Sequence, residues 1–175
     1  MVTVPVFVSI PRALNTRQGV VHSAIENMLG AMRLEPRTVG RSDQALQSPL
    51  GEVYQLARRC SGGLILGFRQ ATAVSAVLRP GCDDEEVREQ AHWPSAWNQL
   101  EAGVLYAIGV PLLVFAERGV TGGIFDRGVG NMFIHDFSSE AFDEKARAHM
   151  ETLIHEWTRH VRNFYMDDTS REWRK

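Results

Sequence analysis

The stretch from Trp93 to Phe115 reads WPSAWNQLEAGVLYAIGVPLLVF and predicts a helix, a turn and a buried strand in that order. A Pro-Ser pair ending at Ser95 suits the start of a helix, and apolar residues then recur at helical spacing as far as Ile108. Gly109 suits a left-handed cap, and Pro111 prevents the helix from continuing. The apolar run LLVF that follows has the length and composition of a buried parallel strand.

Glu101 is the one carboxylate of this segment, and it lies in the middle of the predicted helix. A helical period places Trp97 and Asn98 one turn before Glu101, so an aromatic ring, an amide and an acid are predicted to share one face. Gly103 costs the helix about 1 kcal/mol relative to alanine. This cost indicates that something approaches the helix backbone at Gly103.

Length and composition describe one ordinary globular domain. The chain has 175 residues, 44% hydrophobic and 23% charged residues, and a net charge of -2. We expect a single domain over residues 1–166 and a polar tail over 167–175. The balanced charge argues against nucleic-acid binding, and no apolar run approaches the roughly 20 residues that span a bilayer. With no signal-peptide pattern at the start, and with Cys60 and Cys82 expected as reduced thiols, the sequence predicts a cytoplasmic protein.

Strand-like and helix-like segments alternate along the chain. The predicted strands are Val4–Ile10, Pro36–Val39, Gly62–Phe68, Leu112–Phe115 and Met132–Phe137. The helices between and after them are predicted near Arg17–Met32, Pro49–Cys60, the central segment and Glu140–Tyr165. Such alternation predicts an α/β fold, a flavodoxin-like three-layer sandwich with a five-stranded parallel sheet.

The segment Arg69–Ala91 is predicted to be irregular, and two interpretations of it stay open. Long structureless connections inside a compact domain are usually functional, so the segment is either a lid over a site or a disordered surface insertion.

Ligands of a parallel sheet bind at the carboxyl ends of its strands. That rule selects the residues after each predicted strand, namely Ser9–Asn15, Gly40–Asp43, Phe68–Gln70 and Glu117–Asp126. The phosphate loop GxxxxGK[ST], the dinucleotide motif GxGxxG, the zinc motif HExxH and the nucleophile motif GxSxG are all missing from the sequence. We therefore expect a small-molecule crevice and no metal.

The segment around Glu101 resembles two related protein families. The run Glu101-Ala102-Gly103, with Gly109 and Pro111 beyond it, is similar to the E-x-G…G-x-P segment of nucleoside 2-deoxyribosyltransferases. In that family the glutamate attacks or stabilises the anomeric carbon of a ribosyl group. The aromatic-rich start WPSAW and the first strand ending at Ser9 resemble TIR domains, in which the matching glutamate supports cleavage of the nicotinamide–ribose bond of NAD.

The two families differ in what they imply for this chain. The deoxyribosyltransferases carry an aspartate and a Gly-Thr pair just before the glutamate, where this chain has Trp97 to Leu100. The resemblance therefore implies a TIR-like NAD glycohydrolase or cyclase with Glu101 catalytic and NAD as substrate rather than cofactor. The alternatives are a nucleotide-binding sensor module without turnover and a nucleoside 2-deoxyribosyltransferase. TIR-like enzymes commonly associate, so a homo-oligomer is a further expectation.

The candidate substrate-binding residues follow from the crevice rule and from this resemblance. Trp93 or Trp97 would stack on a ring, Ser9 and Asn15 would hydrogen-bond the ribose or phosphates, and Arg12 or Arg41 would pair with pyrophosphate. Asn98, Asp43 in the turn after the second strand and Phe125 in the glycine-rich loop complete the set, with Phe125 as part of a lid.

Each of these candidate residues also has an explanation that involves structure alone. A single helical glutamate is usually solvated, a helical tryptophan usually packs in a core, and Ser9 and Asn15 can simply end a strand and a turn. The last helix is predicted to pack on the sheet or to present a dimer face.

Overall fold

The computed structural model describes residues 2–39, 49–128 and 134–171, except for the side chains of 168–171. The strands are β1 (Val4–Ser9), β2 (Leu34–Arg37), β3 (Gly63–Gly67), β4 (Ala71–Leu78), β5 (Glu86–Trp93), β6 (Leu112–Glu117) and β7 (Ile134–Phe137). The helices are α1 (Thr16–Ala31), α2 (Pro49–Ala57), α3 (Ala96–Ile108) and α4 (Glu144–Arg171), with a short 3₁₀ helix at Gly123–Phe125.

Five strands form one parallel sheet in the order β2-β1-β3-β6-β7. This order confirms the predicted flavodoxin-like fold with a five-stranded parallel sheet. The chain moves from β1 to one side to form β2 and then returns to the other side of β1 to form β3. The switch point, where parallel sheets of this kind bind ligands, therefore lies between β1 and β3.

Two apolar clusters cover the two faces of the sheet and make it the middle of three layers. On one face, Val6 and Val8 of β1 pack with residues of α1 and α4. On the other face, Phe7 of β1 and Ile65 of β3 pack with residues of α2 and α3. Because successive side chains of a strand point to opposite faces of the sheet, the residues of β1 contact the two helical layers in turn.

The central unit folds as its sequence predicts. The hydroxyl oxygen of Ser95 caps α3 by accepting from the backbone N–H of Asn98, and Gly109 ends the helix in the left-handed conformation at φ 82°. The strand that follows, β6, pairs with β3 in the middle of the sheet. Just before β6, the carbonyl oxygen of Pro111 accepts a hydrogen bond of 3.0 Å from the indole N–H of Trp157. This contact connects the turn to α4.

The prediction of an irregular Arg69–Ala91 segment is wrong. Strands β4 and β5 occupy most of it as an antiparallel hairpin, with Ala71 opposite Trp93 and Leu78 opposite Glu86. Sequence patterns missed the hairpin because β4 has no alternation of apolar and polar residues, and because neither strand contributes to the two apolar clusters.

The ends of several other elements also differ from the prediction. Helix α4 begins at Glu144 rather than near Glu140, and it continues to Arg171 through part of the stretch predicted as a frayed tail. Strand β2 lies two residues earlier than expected. Within the described ranges, none of the helices combines the length and the hydropathy of a bilayer-spanning segment.

Candidate functional site

A buried polar group lies where α3 crosses the carboxyl end of β1. The inward face of α3 carries Asn98 and Glu101 beside Ala102 and Leu105, with Asn98 1% and Glu101 7% exposed. Ser9, the last residue of β1, is fully buried and pairs in register with Ile65 of β3. Two strands and one helix thus place an amide, a hydroxyl and a carboxyl together at the switch point.

Four side chains form one continuous, directed hydrogen-bond chain. The hydroxyl of Ser95 donates to Oδ1 of Asn98 at 2.9 Å. Nδ2 of Asn98 then donates to Oγ of Ser9 at 2.8 Å and to the carbonyl oxygen of Leu66 at 3.5 Å. Because the Ser9 oxygen accepts from Asn98, its hydroxyl hydrogen is free to donate to the Glu101 carboxylate, with which Ser9 is hydrogen-bonded. The side-chain contacts thus run from Ser95 through Asn98 to Ser9, the hydrogen-bond partner of Glu101.

Burial raises the pKa of Glu101 to about 7, and the hydrogen bond from Ser9 opposes this rise. Removing the carboxylate from water disfavours its charged form, whereas a donor aimed at the carboxylate favours it. The result is a carboxyl group that changes protonation near neutral pH. Groups with this property are suited to proton transfer or to acting as a buried anion when a cationic partner arrives.

The two tryptophans predicted to stack on a ligand occupy different environments. Trp97, one helical turn before Glu101, is 47% exposed, and Leu100 is 46% exposed. Trp93 is half-buried at the end of β5, and its ring lies beside the backbone of Gly122. Trp93 is therefore the less exposed of the two rings.

The remaining predicted site residues fall into three groups. Asn15 caps α1 in a reciprocal capping box with Gln18, and Arg12 is exposed in the preceding loop. Phe125 is buried in the second apolar cluster against Gly67 rather than on the wall of a cleft. Arg41 and Asp43 lie outside the described residues.

Gly103 was predicted to mark a close approach to the helix backbone. The residue is exposed, and a side chain added there would meet no described atom within 4 Å. The described residues therefore give no reason for a glycine at this position.

A second buried polar centre surrounds Glu117 at the end of β6. Its carboxylate accepts from Nε2 of Gln18 at 2.8 Å, from the backbone N–H of Arg69 at 2.8 Å and from the hydroxyl of Ser139. Glu117 is 3% exposed, so three donors replace the water that this carboxylate loses. The contacts connect α1, the end of β3 and the loop after β7.

A cleft of about 480 Å³ opens beside this centre. Its lining includes Asn15, Gln18, Arg69, Glu117 and Ser139. The sequence placed Glu117 in the range selected after the fourth predicted strand but gave it no role, and Gln18 and Ser139 were not selected at all. The available signals were the Asn-x-x-Gln capping pattern at Asn15 and the position of Glu117 directly after a buried strand.

The glycine-rich loop after β6 is anchored to α3 by Gln99. Nε2 of Gln99 donates to the carbonyl oxygen of Gly122 at 2.8 Å, and its Oε1 accepts from the N–H of Ile124 at 3.0 Å. The same loop contacts the hairpin, since the hydroxyl of Thr121 accepts from Arg88 at 2.9 Å. Helix α3, the loop and the base of the hairpin thus form one connected wall next to the directed hydrogen-bond chain.

In the part of the chain that the structure describes, no three His, Cys, Asp or Glu side chains are grouped as metal ligands. Comparison of the sequence with protein-family models and with curated proteins finds no match in either.

Proposed function

We propose that this protein is a TIR-like NAD glycohydrolase or cyclase in which Glu101 is the catalytic residue. The observation that carries the proposal is a buried Glu101 carboxyl, hydrogen-bonded to Ser9, at the switch point between β1 and β3. Parallel sheets bind ligands at that position, and a poorly hydrated carboxyl there is a candidate for catalysis rather than for solubility.

The chemistry of NAD suits a single carboxylate. Its nicotinamide leaves as a neutral ring, because the ring nitrogen is cationic while it is bonded to the ribose. Departure leaves positive charge on the anomeric carbon, and the Glu101 carboxylate would stabilise this charge or form a transient bond with the carbon. Attack by water then gives ADP-ribose, and attack by a ring nitrogen of the adenine gives a cyclic product.

The protonation of Glu101 matters for this role. Only the ionised carboxyl can stabilise a developing cation, and the pKa of about 7 means that ionisation is incomplete at neutral pH. A cationic nicotinamide ring near the carboxyl would favour ionisation and lower this pKa on binding. The hydrogen bond from Ser9 acts in the same direction before substrate arrives.

Trp93 and Asn15 are the predicted binding residues that fit this proposal best. Trp93 lies two residues before the cap of α3 and presents its ring beside the glycine-rich loop. Asn15 lines the cleft of about 480 Å³ at the carboxyl edge of the sheet. We assign Asn98 and Ser9 to positioning Glu101. Cys60 and Cys82 are not joined in a disulfide, which fits a reducing, cytoplasmic setting for such an enzyme.

The decisive experiment incubates the purified protein with NAD and measures released nicotinamide by chromatography. We expect turnover by the wild type and a loss of at least about a hundredfold in Glu101→Gln, the scale reported for removing one preorganised electrostatic group. Glu151→Gln is the matched control, because Glu151 is an exposed glutamate on α4.

Two outcomes would point elsewhere. Equal turnover by Glu101→Gln would remove Glu101 from the catalytic role. Thermal stabilisation by nucleotides without any nicotinamide release would favour the sensor module instead, and base exchange between deoxynucleosides would favour the deoxyribosyltransferase.

A further inference from the structure

The β4–β5 hairpin receives little support from the rest of the domain. No residue of β4 is buried, and Ala91 is the one buried residue of β5. Neither apolar cluster includes a hairpin residue. A two-stranded antiparallel ribbon is marginally stable in water, whereas three or more strands are stable. The hairpin therefore has a physical reason to gain another strand.

The two outer edges of the hairpin differ sharply in their protection. Strand β5 carries Glu86, Arg88 and Glu89, and its Gln90 has a positive φ of 53° that interrupts regular pairing. Charges and backbone irregularities of this kind prevent edge strands from pairing with other chains. Strand β4 reads ATAVSAVL and has no charge, no proline and no residue with positive φ.

The free edge of β4 is also available. Among the described residues, β5 is the one strand that pairs with β4. The largest exposed side chains of β4 are apolar, with Val74 75% and Val77 52% exposed. A long, uncharged edge with exposed valines is the type of strand that pairs with another strand when one is presented.

We propose that β4 pairs antiparallel with β4 of a second copy of this chain, so that two hairpins form one four-stranded sheet. The sequence of β4 is compatible with itself, because in self-pairing no charged side chain opposes another. A self-paired β5 would instead bring the charged side chains of Glu86, Arg88 and Glu89 to the interface. The uncharged edge thus fits a second copy of itself better than it fits a charged partner.

Two-fold symmetry fixes how the strands can align. Hydrogen-bonded and non-hydrogen-bonded residue pairs alternate along an antiparallel ladder. A two-fold axis between two successive pairs would exchange one kind with the other, which is impossible. The axis must therefore pass through a pair formed by the same residue of each copy. Near the middle of β4 these residues are Val74 opposite Val74 or Ser75 opposite Ser75. Both alignments overlap nearly the whole strand, and both keep Val74 within reach of its own copy across the interface.

One strand pair is a small interface. Stable complexes bury at least about 1,200 Å² in total, more than two paired strands and their side chains provide. We therefore expect a dimer that forms and dissociates with protein concentration. The proposal concerns the hairpin alone and holds whether or not the chain cleaves NAD.

Sedimentation velocity over micromolar to near-millimolar concentrations tests this inference. The wild type should shift from monomer to dimer as its concentration rises, and Val74→Lys should weaken dimerisation by about tenfold or more. Val87→Lys is the matched control, because Val87 is also exposed but lies on the outer strand of the proposed sheet. Circular dichroism should show that both variants keep the wild-type fold.

A charge-reversal mixture makes the test specific for this edge. Val74→Glu and Val74→Lys should each be largely monomeric alone, and an equimolar mixture should recover dimers because opposite charges then face each other. A wild type that stays monomeric at every concentration would overturn the proposal. So would dimers that survive Val74→Lys unchanged, or a mixture that associates no better than its components.

Discussion

Nδ2 of Asn98 donates a hydrogen bond of 2.8 Å to Oγ of Ser9, and this contact joins α3 to the end of β1. The Ser9 oxygen accepts from Asn98, which leaves the hydroxyl hydrogen available to donate to Glu101. Asn98 thus helps to position Ser9, and the hydrogen bond from Ser9 opposes the effect of burial on the Glu101 pKa.

Ser9→Ala should raise the pKa of Glu101 further above about 7, because the substitution removes the donor that favours the charged form. If Glu101 must be ionised for nicotinamide release, the rising limb of the pH–rate profile should move to higher pH. A carboxyl titration followed by NMR gives the same pKa without relying on activity. Ser75→Ala on the exposed hairpin is the control and should leave both measurements unchanged.

Glu101→Gln should stabilise the fold at pH 8 and have little effect at pH 5. Since the pKa is raised from 4.5 to about 7 on folding, the folded protein holds the Glu101 proton more tightly than the unfolded chain does. The stability that this gives is full below pH 4.5 and is lost as the pH rises through about 7. The loss at pH 8 amounts to about 3 kcal/mol at most.

Urea unfolding of wild type and Glu101→Gln at both pH values measures this difference. A stability gap that does not change with pH would contradict the assigned pKa. Gain of stability together with loss of turnover would identify Glu101 as a residue kept for activity at the expense of stability.

Glu117→Gln should destabilise the fold by about 1–3 kcal/mol, because hydrogen bonds to a charged group contribute more than those to a neutral amide. The amide keeps the size of the carboxyl, and its oxygen can still accept from Gln18 and Arg69 while its nitrogen donates to the Ser139 hydroxyl, but the negative charge is lost. Chemical denaturation of Glu117→Gln beside Glu140→Gln, a change at an exposed glutamate of the same region, measures the effect. Equal stability of the two variants would mean that the contacts of Glu117 contribute little.

Gly67→Ala and Gly103→Ala should have opposite effects on stability. A Cβ at Gly67 would lie 2.2 Å from the Phe125 ring, so the ring and its loop must move, at a cost of roughly 1–3 kcal/mol. A Cβ at Gly103 meets nothing within 4 Å, and alanine in a helix should add up to about 1 kcal/mol. Thermal unfolding compares the two. Loss of activity in a stabilised Gly103→Ala variant would show that a ligand or partner contacts this position.

Sequence reasoning predicted the sheet because the signals for it are local. The capping serine at Ser95, the glycine at Gly109 and the apolar run after Pro111 each act within a few residues of their position. The hairpin was missed because its pairing is between strands that bury almost nothing, so no apolar periodicity records it. Trp97 was predicted to share a face with Glu101, and α3 places the two one turn apart, with Trp97 47% and Glu101 7% exposed.

The polar network could be predicted only in part. Ser9, Asn98 and Glu101 were all candidates, and the structure brings them together. Their order in one directed chain depends on side-chain geometry between residues far apart in sequence. Glu117 lay in a range selected from the sequence, but its role could not be predicted because its partners Gln18 and Ser139 come from opposite ends of the chain.

The directed hydrogen-bond chain draws Ser95, Asn98 and Glu101 from one helix and Ser9 from a strand 89 positions before Asn98. In the sequence, the exposed tip of the hairpin around Gly81 lies between Ser9 and the three residues of α3 and its cap. Cutting the backbone there would give two fragments that each hold an incomplete set of polar groups. Recombining such fragments offers a split reporter whose signal depends on β1 docking against α3.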